Sequence, residues 1–331
     1  MKQKIAILGS TGSIGSSLLN IIDKDKNNFE IILLSANKNY KKLLFQASQF
    51  KVRNLLISNT KIYSKLIKNK NYKKINFFNS YDDFEKIFKS KKIDYLMSAI
   101  SGIEGLNPTL KSLKYTKKIA IANKEAIICG WNLIKKNLKK YNVKFIPVDS
   151  EHFSIWYGLK EIPIKNISKI YLTASGGPFL KKKINNLGLV KISAAIKHPN
   201  WKMGKKISID SATMMNKVFE VIEARNIFGL PLKKLSILIH PRSYIHSILK
   251  FNNGLVKIIA HDTTMEIPIF NSLYLQKDKI FNSKKIDFKT LNNLSLQTVN
   301  KNRFGVVRIL DKLNNNNSLY DTILVAANDT Y

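Results

Sequence analysis

The stretch KIAILGSTGSIG, residues 4–15, decides the fold. Ile5 to Leu8 make an apolar run of strand length, and SIGSSLLNIIDK (13–24) follows with helical spacing. Gly9, Gly12 and Gly15 sit between them, a variant of the dinucleotide fingerprint. Glycines at a strand-to-helix turn let a pyrophosphate approach the backbone N–H groups of a helix N-terminus. The strand–turn–helix context supports that reading over a glycine-rich turn that binds nothing.

Outward from this motif, strands and helices alternate. FEIILLSA (29–36), VRNLLIS (52–58), IDYLMSAI (93–100), KKIAIA (117–122) and VKFIPV (143–148) read as strands, most of them separated by helical segments. This pattern predicts an α/β fold: an N-terminal Rossmann-like, doubly wound parallel sheet over residues 1–149. The character then changes. ISKIYLTAS (167–175), LSILIH (235–240), a long helix in ATMMNKVFEVIEARNIF (212–228) and a hairpin around FNNGL (251–255) predict an α+β catalytic domain over 150–278. Residues 279–331 read as a polar linker and the start of a C-terminal helical segment, apparently truncated.

The composition excludes several classes. No run of 18 or more apolar residues occurs, so no membrane span or membrane partner is predicted. No charged-then-apolar leader precedes the first strand. A single cysteine, Cys129, excludes an internal disulfide framework and a multi-cysteine metal site. These features predict a soluble, cytoplasmic protein. A net charge of +34 would suggest nucleic acid, but only five of the 56 basic residues are arginines. Bidentate contacts to phosphate and guanine use arginine. Lysine, asparagine and isoleucine are in excess together, which reads as codon bias on solvated faces, with no nucleic-acid partner.

The second strand ends in Ser35, Ala36, Asn37, Lys38 and Asn39. An NAD site usually has a carboxylate there for the ribose 2′-hydroxyl. Its absence, with Lys38 able to pair with a 2′-phosphate, favours NADPH. A chance surface lysine is the competing reading in so lysine-rich a chain.

VKFIPVDSEHFSIW (143–156) leaves a hydrophobic strand and delivers Asp149, Ser150, Glu151 and His152 in a row. In an extended segment Asp149 and Glu151 point to the same side. An all-oxygen pair suits Mg²⁺ or Mn²⁺. Alone, the pair also fits two solvated turn residues, and a third carboxylate shifts the balance. SIDSATMMNKVFEVIEAR (208–225) offers one. Asp210 or Ser211 is expected to cap its helix. Asn216, Lys217 and Glu220 then share a face, while Met214, Val218, Val221 and Ile222 cover the apolar side. Glu223 and Arg225 read as ordinary surface residues.

LTASGGPF (172–179) ends a strand in Ser175, Gly176 and Gly177, a possible anion nest. With Ser211, Asn216 and Lys217 it could hold a substrate phosphate. KHPNWKMGKK (197–206) carries His198, Trp201 and Met203 among Lys197, Lys202, Lys205 and Lys206. It reads as a mobile lid over a ligand, or as a packing loop with one satisfied histidine.

GSTGSIG, ANKE, VDSEH, SGGPF, HPNWKMGKKISIDSATMMNK and HPRSYIHS, in this order, resemble the 1-deoxy-D-xylulose 5-phosphate reductoisomerase family. The resemblance covers residues 4–249, more weakly to the end. It implies an NADPH- and divalent-metal-dependent homodimer that rearranges a sugar phosphate by retro-aldol cleavage and re-aldolisation. The aldehyde is then reduced to 2-C-methyl-D-erythritol 4-phosphate. By the same resemblance Asp149, Glu151 and Glu220 hold Mn²⁺ or Mg²⁺. Ser150, Ser175, His198, Ser211, Asn216, Lys217 and His246 contact substrate, and Trp201 and Met203 belong to a closing loop. Lys124 is catalytic, and Asn123 and Glu125 lie on the cofactor side. Gly9, Ser10, Thr11, Gly12, Ser13, Ile14, Gly15, Asn37, Lys38 and Asn39 match the NADPH site.

Two departures stand out. IIAHDTTMEIP (258–268) replaces the family's Leu-Gly-x-Pro-Asp-Met-Arg pattern, making Ala260, His261, Thr263, Thr264 and Glu266 non-consensus. This is expected to touch strand packing and the dimer contact, not the chemistry. The sequence also ends at Tyr331, where the family continues into a helical domain. The competing readings are a simple NADP-dependent dehydrogenase, a basic nucleic-acid binder and an inactive relic of the reductoisomerase.

Overall fold

The computed structural model describes residues 1–331 except 90, 202, 276–278, 287, 314–317 and 331. Lys202, Asp278 and Tyr331, named above, therefore lie outside the described residues. The chain divides into two compact units.

The first unit comprises Met1–Val148 and Pro268–Asp278. Its seven strands are β1 (Gln3–Leu8), β2 (Phe29–Ala36), β3 (Asn54–Ile57), β4 (Asn76–Phe78), β5 (Tyr95–Ser98), β6 (Lys118–Ile121) and β7 (Lys144–Pro147). They form one sheet in the order β4-β3-β2-β1-β5-β6-β7, and every pair is parallel. In β1, Ile5, Ala6, Ile7 and Leu8 are all fully buried, as a strand covered on both faces requires. The strand order reverses between β1 and β5, which puts the glycine turn at the topological switch point. The connecting helices are α1 (Ser13–Asp23), α2 (Tyr40–Phe50), α3 (Thr60–Ile67), α4 (Phe84–Phe88), α5 (Leu106–Ser112) and α6 (Lys124–Lys140). The short strand β4 was not expected from the sequence.

The second unit comprises Asp149–Ile267 and Lys279–Tyr331. It contains α7 (Ser150–Gly158), β8 (Ile167–Ala174), α8 (Ile192–Ala195), α9 (Lys205–Thr213), α10 (Met215–Phe228), β9 (Leu235–Ile239), β10 (Ile245–Phe251) and β11 (Val256–Ala260). Its sheet has the order β11-β10-β8-β9-β12, closed at one edge by β12 (Gln297–Thr298). β8 and β9 are parallel, and β10 runs antiparallel to both β8 and β11. The Asn-Gly turn between β10 and β11 forms as expected, with Gly254 at φ +88°.

The division differs from the expected one after residue 267. Helix α11 (Glu266–Leu273) carries the chain back into the first unit. Ile269 and Leu273 are fully buried there, each worth about 1.5–3 kcal/mol by area. The Tyr95 hydroxyl meets Ser272 Oγ at 2.8 Å, and Tyr274 packs edge-on to Phe29. The tail, with α12 (Phe288–Asn292), α13 (Ile309–Lys312) and α14 (Ser318–Thr330), belongs to the second unit. Buried Asp321 of α14 accepts a hydrogen bond from Arg225 of α10. Arg225 is thus no surface residue, and nor is Glu223, which is 2% exposed.

Candidate active site

The glycine turn is built from backbone. Gly9 has φ +83°, and a Cβ there would lie 2.6 Å from the Ala99 carbonyl oxygen, so only glycine fits. Gly12 caps α1, while Gly15 is buried in its first turn. Thr11 and Ile14 are half-buried, and Gly12 and Ser13 are exposed. Ser10 is fully buried, its hydroxyl donating to Gln46 Oε1 at 2.8 Å. Gln46 Nε2 donates back to the Ser10 carbonyl at 3.0 Å. Lys42 Nζ donates to the Thr11 carbonyl (3.0 Å) and to Ser16 Oγ (2.7 Å). Lys42 and Gln46 were missed in the sequence. Their i,i+4 spacing on α2 was the available signal.

Asn37, Lys38 and Asn39 are exposed where β2 passes into α2, and Asn39 caps α2 by accepting the Lys42 N–H at 3.3 Å. Asn123 caps α6, accepting the Ala126 N–H at 2.7 Å and donating to the Gly102 carbonyl at 2.7 Å. It is buried and braces the loop after β5. Lys124 is half-buried and Glu125 buried in the first turn of α6.

The second unit assembles the carboxylates. Asp149, Glu151 and Glu220 each place an oxygen within 4.8 Å of the others. The reason differs from the expected one. Asp149 is the N-cap position of α7 and Glu151 lies in its first turn, so the pair converges through a helical start, not an extended segment. Ser150 is buried, and its hydroxyl donates to Glu151 Oε2 at 2.6 Å. Lys217 Nζ donates to Glu151 Oε1 at 2.5 Å and also to Glu220 Oε2. Asn216 Nδ2 donates to Glu220 Oε1 at 2.5 Å. Burial, then the charge of Glu220, push the Glu151 carboxyl well above the usual range, against the pull of Lys217. Burial opposes the Lys217 charge, but Glu151 and Glu220 outweigh it and raise its pKa. Three converging carboxylates form an all-oxygen donor set that suits a hard divalent cation.

His152 had no assigned role. Its Nε2 donates to the Glu220 carbonyl at 2.8 Å, tying α7 to α10, and its Nδ1 lies 3.5 Å from Glu223 Oε2. Asp149, His152 and Glu223 thus form a second, overlapping group of ligating atoms. The partners of His152, Glu220 and Glu223, lie 68 and 71 residues further along the chain, so no local signal marked it.

Neither Asp210 nor Ser211 caps a helix. Both lie inside α9, where Asp210 accepts from Lys206 (3.0 Å) and Asn328 (3.0 Å). The break falls instead at buried Met214, φ +71°, which ends α9 and starts α10. A left-handed residue costs about 1–2 kcal/mol. The break sets half-buried Ser211 before it and Asn216 and Lys217 after it.

After β8, Ser175 Oγ accepts the Gly177 N–H at 3.0 Å and lies 2.9 Å from His198 Nε2. His198 Nδ1 accepts the N–H groups of Asn200 (3.1 Å) and Trp201 (3.0 Å). Nδ1 is therefore the lone-pair nitrogen and Nε2 the donor. Burial and the Lys217 charge hold His198 down at about 4, consistent with a neutral ring. With two hydrogen bonds accepted, the Ser175 hydroxyl has its proton left to offer an anion. Gly177 is at φ +71°, and a Cβ would meet the Ser211 carbonyl at 2.8 Å.

The expected lid is partly anchored. Asn200 Nδ2 donates to the Pro241 carbonyl (2.6 Å) and Ser243 Oγ (2.8 Å). Trp201 and Met203 are half-buried, and Trp201 meets the His246 ring edge-on with centroids 6.0 Å apart. His246 is 1% exposed and stacks on His261 at 3.7 Å. The 258–268 segment, expected to touch strand packing and the dimer contact, therefore also reaches a candidate site residue.

Comparison with known proteins agrees with this geometry. The family model described as 1-deoxy-D-xylulose 5-phosphate reductoisomerase matches residues 5–130, and that of the C-terminal domain of the same family matches 145–228. A curated relative of that name from Pelagibacter ubique (strain HTCC1062) is 58% identical over 99% of this chain and 84% of its own. One from Clostridium kluyveri is 37% identical over 93% of this chain and 80% of its own. Among solved structures, DOX-P reductoisomerase in complex with NADPH, fosmidomycin and magnesium superposes with a TM-score of 0.88 at 30% identity, over 99% of this chain and 85% of that one. The Zymomonas mobilis enzyme in complex with NADPH gives 0.84 at 30% identity, over 94% and 81%. A seven-stranded parallel sheet with a glycine turn, the three-carboxylate cluster and these relatives agree: the chain belongs to the 1-deoxy-D-xylulose 5-phosphate reductoisomerase family.

Proposed function

We propose that this chain converts 1-deoxy-D-xylulose 5-phosphate to 2-C-methyl-D-erythritol 4-phosphate, using NADPH and Mg²⁺ or Mn²⁺. The observation that carries the reading is the convergence of the Asp149, Glu151 and Glu220 carboxylates, two of which, Glu151 and Glu220, hold the Lys217 ammonium. The three carboxylates would hold the cation, which supplies Lewis-acid polarisation of a carbonyl. NADPH supplies the hydride.

The remaining roles follow from the residues. The N-terminus of α1 and the turn from Gly9 to Gly15 bind the pyrophosphate, and Lys38 pairs with the 2′-phosphate. Ser175 donates its hydroxyl proton to the substrate phosphate, with Ser211, Asn216 and Lys217 beside it. His198 holds that hydroxyl in place. Phosphate contacts lie away from the reacting carbons, so their binding energy can orient the substrate. Trp201 and Met203 exclude water, His246 contacts the substrate, Lys124 is catalytic, and Asn123 and Glu125 serve the cofactor side.

Homodimerisation is part of the same reading. The edge strand β11 leaves Val256 and Ile258, two residues apart on one face, more than half exposed beside unpaired backbone groups. The enzyme works in the cytoplasm without a nucleic-acid partner. Among the described residues no helix is long and apolar enough to cross a membrane. A plain dehydrogenase has no use for the three-carboxylate cluster, and an inactive relic has no reason to keep it. The test is NADPH consumption with 1-deoxy-D-xylulose 5-phosphate, with and without Mn²⁺. Oxidation of NADPH that needs both substrate and metal is expected, and metal-independent turnover would overturn the reading.

A further inference from the structure

Trp201, His246 and His261 bring three rings together in the second unit. Trp201 meets His246 edge-on at 6.0 Å, and His261 lies almost parallel to His246, at 15° and 3.7 Å between centroids. His246 Nε2 is 3.1 Å from the carbonyl oxygen of His261. A carbonyl only accepts, so Nε2 carries the proton and Nδ1 of the neutral ring is left as an acceptor. The backing ring is itself fixed: His261 Nδ1 donates to the Asp262 carbonyl at 2.8 Å. Burial holds both imidazoles below their ordinary pKa, so the stack does not press two cations together. The charges of Lys217 and Asp149 also act on the His246 ring.

We propose that His261 is a positioning residue for the reaction: its carbonyl fixes the tautomer of His246 and its ring fixes the plane, so that His246 Nδ1 is presented as a hydrogen-bond acceptor to a hydroxyl of the sugar phosphate. The inference rests on the reading of His246 as a substrate contact. Nothing in it requires His261 to touch the substrate. Its ring acts as a flat support, and Trp201 rests against the ring so supported.

Two substitutions separate support from simple strand packing. His261→Ala keeps the backbone carbonyl but removes the backing ring. His261→Phe restores a flat ring without imidazole nitrogens. His261→Ala is expected to raise KM for 1-deoxy-D-xylulose 5-phosphate about five- to tenfold, the scale of one misaligned hydrogen bond, with kcat and NADPH affinity within about twofold. His261→Phe is expected to restore KM. The ¹⁵N shifts of His246 should report the Nε2-protonated tautomer in the wild type and in both variants, since each keeps the His261 carbonyl, and a change of tautomer in either variant overturns the carbonyl's role. An unchanged KM in His261→Ala, or a raised KM that Phe does not rescue, overturns the proposal. His246→Gln is measured alongside. If it leaves KM unchanged, the reading of His246 falls and the inference with it. If it raises KM while His261→Ala does not, the inference alone falls.

Discussion

The glycine turn and the carboxylate cluster are made of different material. The turn is backbone: a glycine at φ +83°, a helix N-terminus and a clamp from Lys42 and Gln46. Its parts come from a short run of sequence plus one face of α2. The cluster is side chain, with Asp149 and Glu151 from the start of α7 and Lys217 and Glu220 from α10. A backbone site resists substitution through shape, and a side-chain site through charge. Mutations should therefore fail in different ways in the two places.

The largest effect is expected from Glu151→Gln. Neutralising one ligand of a hard-cation site should lower turnover more than about 100-fold at limiting Mn²⁺, beyond the range seen for outer-sphere partners. NADPH affinity, measured by fluorescence titration, should stay within about twofold. Full activity in that variant would remove the distinction between the two sites. Gly9→Ala is the converse. The left-handed φ and the clash with Ala99 should cost about 1–3 kcal/mol of stability and weaken NADPH, while Mn²⁺ binding survives. Calorimetry with each ligand reads both.

Lys38→Glu is subtler, since Lys38 is an exposed charge on an otherwise intact turn. It should weaken NADPH about tenfold more than NADH, about 1.4 kcal/mol of discrimination. Equal losses would make Lys38 a surface lysine. The smallest effect concerns His198. A folded-state pKa of about 4, below the ordinary 6.5, gives stability that is complete above pH 6.5 and is lost as pH falls through about 4. Denaturation curves of His198→Gln across that window should show a shallower acid slope than the wild type.

The same contrast explains what was legible in the sequence. Gly9, Gly12 and Gly15 could be read because a turn needs them at fixed spacing. The parallel sheet could be read from strings such as FEIILLSA. β4 was missed because Asn76, Phe77 and Phe78 give a strand too short for periodicity to register. Asp149 and Glu151 were read as a pair for the wrong reason, because sequence cannot show that a helix starts at Ser150. Glu223 and Arg225 looked like surface residues because their partners, His152 and Asp321, lie 71 and 96 positions away. His261 was read only as a departure from the family pattern, since its stacking on His246 depends on the register of the β10–β11 hairpin. Contacts of high sequence separation leave no local trace.

The return of the chain through α11 has a consequence for biosynthesis. The first unit's sheet is complete at Val148, but Ile269, Ser272 and Leu273, which finish its core, follow 121 to 125 residues later. At about 5–20 residues per second the ribosome needs roughly 6 to 25 seconds to supply them. During that interval the nascent sheet carries Tyr95 and its apolar neighbours without their final cover. The order of synthesis thus leaves the first unit's core open until much of the second unit has been made, although in the finished protein it looks like the simpler half.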